Sequence, residues 1–350
     1  KRSNIKLQYW KIYKGRDGYM KKLINNPENV LNDMIEGLVA AYPQYLRKLD
    51  DFNVIVRTSK SDGKVSLVSG GGSGHEPAHA GYVGKGMLDG AVCGEVFTSP
   101  TPDQVYEAIK ATDNGNGVLL VIKNYTGDVM NFEMAKEMAE MDGIKVEQII
   151  VNDDVAVENS LYTAGRRGIA GTVFVHKIAG AKAEGGASLQ EVKDIAERVV
   201  KNVRSMGMSL SSCIVPAAGK ANFTLGDDEI EIGMGIHGEP GVYRKKISTA
   251  DDIAQELLDK ILDDIEINKN DEVAIIINGL GSTPNMELYI INKKVNEILT
   301  DKGIKIHKTF IGEFMTSLEM AGCSVSLLKL DDELKELLDA KADTPGFKVI

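Results

Sequence analysis

Cysteine is scarce in this 350-residue chain, and the three present, Cys93, Cys213 and Cys323, stand alone. An odd number with no C-x-x-C spacing offers neither a disulfide framework nor a cysteine zinc site, and the cytoplasm is the expected compartment. Long apolar runs are missing too: none approaches the roughly 18 residues that span a bilayer, so no membrane segment is expected. Positive charge is in excess only over the first nineteen residues. There Lys1, Arg2, Lys6, Lys11, Lys14 and Arg16 oppose Asp17 alone, a net +5, which leaves −15 on residues 20 to 350 of a chain whose total is −10. A body that acidic argues against a nucleic-acid surface or another polyanion partner. The single tryptophan, Trp10, falls in the same basic stretch. That stretch has no apolar core of about 7 to 15 residues and no small-residue cleavage site, so it does not read as a secretory leader. Met20 opens an ordinary start, and residues 1–19 are read as an upstream extension.

With 43% hydrophobic residues over this length, two domains are expected. Short β-branched runs alternate with segments of helical period, the pattern of a parallel sheet covered by helices. Residues 64–68, 117–123, 146–151 and 172–175 are predicted strands. PDQVYEAIKATD and NFEMAKEMAEMDG are predicted helices, and a further helix starts from a capping box at Ser188 and Glu191 and ends near Gly207. Residues 229–241, EIEIGMGIHGEPG, alternate with period two and predict an antiparallel strand with one wet face. Strands at 271–278, 304–311 and 324–330 surround a helix near 285–300. The expectation is two α/β domains meeting near residue 205: residues 20–205 around a doubly wound, mostly parallel sheet, and residues 206–350 around a mixed sheet with helices. Most predicted strands run straight into a glycine-rich or polar loop, where open parallel sheets bind ligands.

The first such stretch, SGGGSGHEPAH (69–79), contains H-E-x-x-H. That motif binds zinc only when both imidazoles ride one continuous helix. Pro77 and the glycines at 70, 71, 72 and 74 preclude it, and no metal site is expected. The run also lacks the lysine and hydroxyl of a nucleotide triphosphate loop, so it reads either as a tight turn or as a ligand loop in which His75 is the chemically active group. In the second loop, Lys123 and Asp128 pair a cation with a carboxylate. Asp128 reads equally as a helix N-cap, and Lys123 as a surface lysine or the partner of Asp153 or Asp154. In the third, strand parity carried to the end of EIEIGMGIHGEPG places His237 on the wet face with Glu229 and Glu231, between Gly235 and Gly238. His176 and His307 receive no role.

Together SGGGSGHEPAHAGYVGKGML, FTSPTPDQ, VIKNYTGDVMNFE, DDVAV, LYTAGRRGIAGT, GIHGEPG and NGLGSTP resemble the dihydroxyacetone kinases, in particular their substrate-binding K subunit, from about residue 20 to the end of the chain. The resemblance implies that the histidine of GIHGEP, here His237, adds through Nε2 to the ketone carbonyl and holds dihydroxyacetone as a hemiaminal. It maps a substrate loop onto Gly72, Ser73, Gly74 and His75, and two further substrate-binding groups onto Lys123 and Asp128, with His75 and Asp128 as candidate acid–base groups. Single-chain ATP-dependent members append a nucleotide-binding domain of about 200 residues, and nothing here matches one. The implied type is therefore the bacterial phosphotransferase-system enzyme. There a separate L subunit carrying ADP and magnesium delivers phosphate, and a third subunit, M, recharges it from phosphoenolpyruvate. No cofactor is expected on this chain, and a cytoplasmic homodimer is. The rival is a paralogous coactivator that captures dihydroxyacetone but signals to a transcription factor; loss of the acid in the second loop marks such paralogues, and Asp128 is retained.

Overall fold

Apart from a bridge pairing Lys14–Gly15 with Gly18–Tyr19, the computed structural model describes residues 21–59, 63–158 and 163–350. The extension expected over residues 1–19 otherwise lies outside the described residues. Helix α1 (Val30–Ala41) leads into strands β1 (Leu46–Lys48) and β2 (Val54–Arg57). Four mutually parallel strands complete the first sheet: β3 (Ser66–Ser73), β4 (Gly90–Val96), β5 (Val118–Lys123) and β6 (Val146–Val151), in the order β1-β2-β4-β3-β5-β6. Alternate side chains of β5 feed opposite layers. Leu120 and Ile122 pack with Val105, Ile109 and Phe132 of α2 (Pro102–Thr112) and α3 (Thr126–Met141). Leu119 and Val121 pack with Phe174, Ile178 and Ile195 of α4 (Thr172–Glu184) and α5 (Leu189–Asn202). The sheet is doubly wound, as the alternation of strand and helix patterns predicts.

The second sheet takes β7 (Val203–Ser209), β8 (Glu229–Ile232), β9 (Tyr243–Lys246), β10 (Glu272–Gly279), β11 (Lys305–Gly312) and β12 (Gly322–Leu330), in the order β9-β8-β7-β12-β10-β11. Within it β10 and β11 are parallel and the other pairs antiparallel. Ile275, Ile277 and Val325 face α6 (Ala250–Asp264) and α7 (Asn285–Asp301). Ala274, Ile276 and Leu328 point the other way, into the apolar cluster that holds Val173, Phe174 and Val199 of α4 and α5. Those two helices are thus shared between the sheets. Helix α8 (Asp332–Asp339) and the C-terminal segment close the chain against the first sheet's side, with Asp343 bridged to Lys85.

Four expectations need correction. Residues 172–175 begin α4; the helix is buried on every side from Thr172 to Ala181, so it lacks the polar stripe that would set it apart from a buried strand. The capping box at Ser188 is present, but its helix stops at Asn202, and β7 occupies the stretch expected to be its last turns. The glycine run is strand rather than loop, since β3 continues to Ser73 with every residue buried. The strand predicted over 229–241 ends at Ile232, and Glu231, assigned to its wet face, is only 4% exposed, accepting from the Gly241 amide and from Arg244.

Candidate active site

Strand β3 lies between β4 and β5, so the residues following these three parallel strands converge at one edge of the sheet. Glycine makes the convergence tight. A Cβ on Gly71 would lie 3.0 Å from Lys123 Nζ and 3.3 Å from Asp128 Oδ2, and one on Gly72 would lie 2.5 Å from the Thr98 amide nitrogen. After β3 come Gly74 and His75; after β4 comes Phe97, whose ring stacks on His75 at 5.1 Å between centroids. Lys123 is the last residue of β5, and Asp128 sits in the first turn of α3 with Tyr125 as the N-cap residue. The capping reading of Asp128 is therefore replaced by a first-turn carboxylate whose Oδ2 lies 4.0 Å from Lys123 Nζ, both groups buried. Neither Asp153 nor Asp154 is the lysine's ion-pair partner: Asp153 accepts from the Ile169 and Gly171 amides, and Asp154 pairs with Arg167.

His237 arrives from the second sheet, on the turn that follows β8. Its ring lies edge-on to Tyr125 at 4.5 Å, to His75 at 4.8 Å and to Phe97 at 5.3 Å. Gly72, Phe97, Ser99, Tyr125, Gly127, Asp128 and His237 line a cavity of about 640 Å³ that also reaches Asn131. Of the predicted residues, Gly72, Asp128 and His237 face this cavity. His75 and Lys123 are fully buried directly behind them. Ser73 turns away, its hydroxyl donating to Gly94 O at 2.8 Å, and the Gly74 amide donates to the Glu76 carboxylate, so two donors expected of the glycine loop are already engaged.

The electrostatics favour a neutral imidazole at His75 and an ionised carboxylate at Glu239. His75 Nδ1 is 2.7 Å from the carbonyl of Thr316; a carbonyl only accepts, so Nδ1 carries the proton and Nε2 keeps its lone pair. Burial, with Lys123 and His237 nearby, holds the pKa of His75 well below the usual value. Burial likewise lowers that of Lys123, which Asp128 and Glu239 partly offset. The sequence reading missed Glu239. It is 2% exposed, and its carboxylate accepts from the His237 amide at 2.9 Å and from His237 Nδ1 at 3.1 Å. Burial alone would raise its pKa, but His237 and Arg167 outweigh burial and hold it at about 2. The signal for it was a carboxylate two residues after the histidine, hidden because the stretch was read as strand. His237 Nε2 is consequently the ring nitrogen left free for chemistry, and His75 Nε2, Lys123 Nζ, Asp128 Oδ1 and Tyr125 Oη are buried beside it without a hydrogen-bond partner. Buried polar groups of this kind call for a hydrogen-bonding partner, which a polar ligand or water entering the cavity supplies.

The H-E-x-x-H residues separate: His75 serves this site, Glu76 holds the Gly74 amide, and His79 Nδ1 meets His176 Nε2 at 3.0 Å. Among the described residues no group of three or more His, Cys, Asp or Glu side chains could hold a metal ion, and no helix is long and apolar enough to cross a membrane.

Fold and cavity define a class: an α/β protein with a partly polar cavity at the carboxyl ends of parallel strands, bordered by a histidine on a turn of a second sheet. The chain belongs to the Dak1 domain family, whose model matches residues 36–346. It is 56% identical over 314 residues to the PTS-dependent dihydroxyacetone kinase 1, dihydroxyacetone-binding subunit DhaK of Listeria innocua, covering 90% of this chain and 95% of that protein. The crystal structure of the dihydroxyacetone kinase of C. freundii superposes with a TM-score of 0.86 at 36% identity over 94% of this chain, which spans 60% of that longer one. A dihydroxyacetone kinase operon co-activator, DhaQ, superposes with a TM-score of 0.84 at 36% identity, over 90% of this chain and 97% of that one.

Proposed function

We propose that this protein is the dihydroxyacetone-binding subunit of a phosphotransferase-system-dependent dihydroxyacetone kinase. The observation that carries the reading is the placing of His237: its Nδ1–H is committed to Glu239, and its free Nε2 belongs to a ring that borders a cavity backed by unsatisfied His75, Lys123 and Asp128. An uncharged triose offers no ionic handle, so capture by a bond that only a carbonyl can form selects a ketone or aldehyde over glycerol. In this step the Nε2 lone pair attacks the carbonyl carbon and the C=O π pair moves to oxygen. That oxygen takes up a proton from solvent, while the ring keeps its Nδ1–H toward Glu239. The hydroxyl that then attacks phosphorus gives its proton to a group within reach, for which Asp128 and His75 are the candidates. Phosphate comes from a separate ADP- and magnesium-bearing L subunit recharged by M, and the working form is a cytoplasmic homodimer.

The likeness to a co-activator gives a second reading, capture of dihydroxyacetone for signalling. Asp128 beside Lys123 favours the kinase subunit. The test mixes the purified protein and dihydroxyacetone with phosphotransferase-competent L and M subunits and phosphoenolpyruvate. Dihydroxyacetone phosphate is the expected product; binding without turnover would move the assignment to the sensor.

A further inference from the structure

Two of the motifs, DDVAV and LYTAGRRGIAGT, contribute no described residue to the lining of the cavity, yet they bring together a chain of buried charge that ends at His237. Arg167 is the largest fully buried side chain among the described residues. Its Nε and Nη2 both reach Asp154 Oδ2 at 2.7 Å, and Nη2 also donates to Gly233 O at 2.7 Å, on the turn that carries His237. Asp154 is fixed in turn: its amide donates to Arg167 O, and its Oδ1 accepts from the Ala156 amide. The remaining nitrogen, Arg167 Nη1, is buried with no hydrogen-bond partner. It points where Glu239 lies, because a Cβ built on Gly235 would sit 2.6 Å from Nη1 and 2.0 Å from Glu239 Oε2. Glycine at 235 leaves the space in which guanidinium and carboxylate approach each other.

We infer that Arg167, held by Asp154, is a positioning residue that keeps Glu239 ionised and aimed at His237 Nδ1, so that the nucleophilic nitrogen is always Nε2. The inference rests on the proposed role of His237 in carbonyl capture. A buried carboxylate without a compensating cation would take up a proton or swing away. Either event removes the acceptor that fixes the tautomer, and the tautomer with its proton on Nε2 has no lone pair for the carbonyl. Arg167 touches no substrate and acts through Glu239. By tying β6 and the segment after it to the turn following β8, it also locates the histidine over the first sheet.

The experiment compares the intact protein with the Arg167→Met, Arg167→Lys and Gly235→Ala variants. One readout is the ¹⁵N spectrum of the His237 ring without ligand, which distinguishes the tautomers; the other is the fraction of protein carrying a triose by intact mass across a dihydroxyacetone titration. In the unaltered protein, His237 is expected to be protonated at Nδ1 only. In R167M both tautomers are expected, with half-saturation at a dihydroxyacetone concentration roughly 10- to 100-fold higher, by analogy with the loss seen when the groups that orient metal-bound histidines are removed. R167K, which restores the charge, is expected to recover part of this loss. G235A puts a methyl group 2.0 Å from Glu239 Oε2 and 2.6 Å from Arg167 Nη1 and so parts the carboxylate from the guanidinium, and it is expected to reproduce the R167M spectrum even if R167M does not fold. A His237 spectrum unchanged in R167M, or in G235A where R167M does not fold, would overturn the inference. So would equal titration defects in R167M and R167K with the tautomer intact. If the unaltered protein gains no mass from dihydroxyacetone, the functional reading fails, and the ligand-free spectra still decide the role of Arg167.

Discussion

At the scale of single residues, the cavity separates capture from transfer. Asp128→Asn keeps the shape of the first turn of α3 and removes a base, so the triose adduct should survive. Phosphate transfer by the reconstituted three-subunit system should fall by roughly 10²- to 10⁴-fold, the usual contribution of an acid–base group. Full turnover in that variant would leave His75 as the only candidate base. His75, His237, Lys123 and Asp128 were all legible because each sits in a short motif that a sequence comparison can carry. Glu239 and Arg167 were not, because their significance lies in geometry. Glu239 matters through two hydrogen bonds to His237, and Arg167 through an approach to Glu239 from 72 positions earlier in the chain, which no local pattern encodes.

Elements show where periodicity misleads. β3 ends in consecutive glycines that signal a loop by composition, yet they pair in register with Val92, Cys93 and Gly94 of β4, and a Cβ at Gly70 would meet Val92 O at 2.5 Å. Gly70→Ala should therefore destabilise the protein by about 1–3 kcal/mol through overpacking. Gly37, exposed in α1 with nothing within 4 Å of its missing Cβ, is the control. Gly37→Ala should stabilise by about 0.5–1 kcal/mol through helix propensity. Urea denaturation of the two variants reads both signs, and a neutral G70A would show that the strand can spread. Helix α4 was misread for the complementary reason: a β-branched run that both sheets cover looks the same whether it is coiled or extended. β5 and β10 were legible as short, continuously apolar runs of strand length, buried on both faces, and α7 as an amphipathic helix.

For the whole molecule, the buried histidines impose a pH dependence. Burial, with Lys123 nearby, holds His176 at about 3, and His79 and His75 well below the ordinary value. In the unfolded chain these rings take up protons below about pH 6.5. The native rings do not, so the unfolded state binds more protons in that window and stability falls as pH drops, by about 1.4 kcal/mol per pH unit for each ring. The contribution is fully present above pH 6.5 and is lost progressively on acidification toward the native pKa values. His176→Phe should flatten the dependence of unfolding free energy between pH 6 and pH 5 by about one ring's share, about 1.4 kcal/mol. An unchanged slope would show that His176 titrates normally. The two-sheet architecture was readable from alternating strand and helix patterns. The sharing of α4 and α5 between the sheets was not, since it depends on which faces of distant elements meet.

The central claim concerns a covalent bond from one ring nitrogen, and intact-mass spectrometry tests it directly. Incubated with dihydroxyacetone, the unaltered protein should gain the mass of one triose, and His237→Ala should gain none while remaining folded. A gain that persists in H237A, or no gain in the unaltered protein at saturating dihydroxyacetone, would contradict the account.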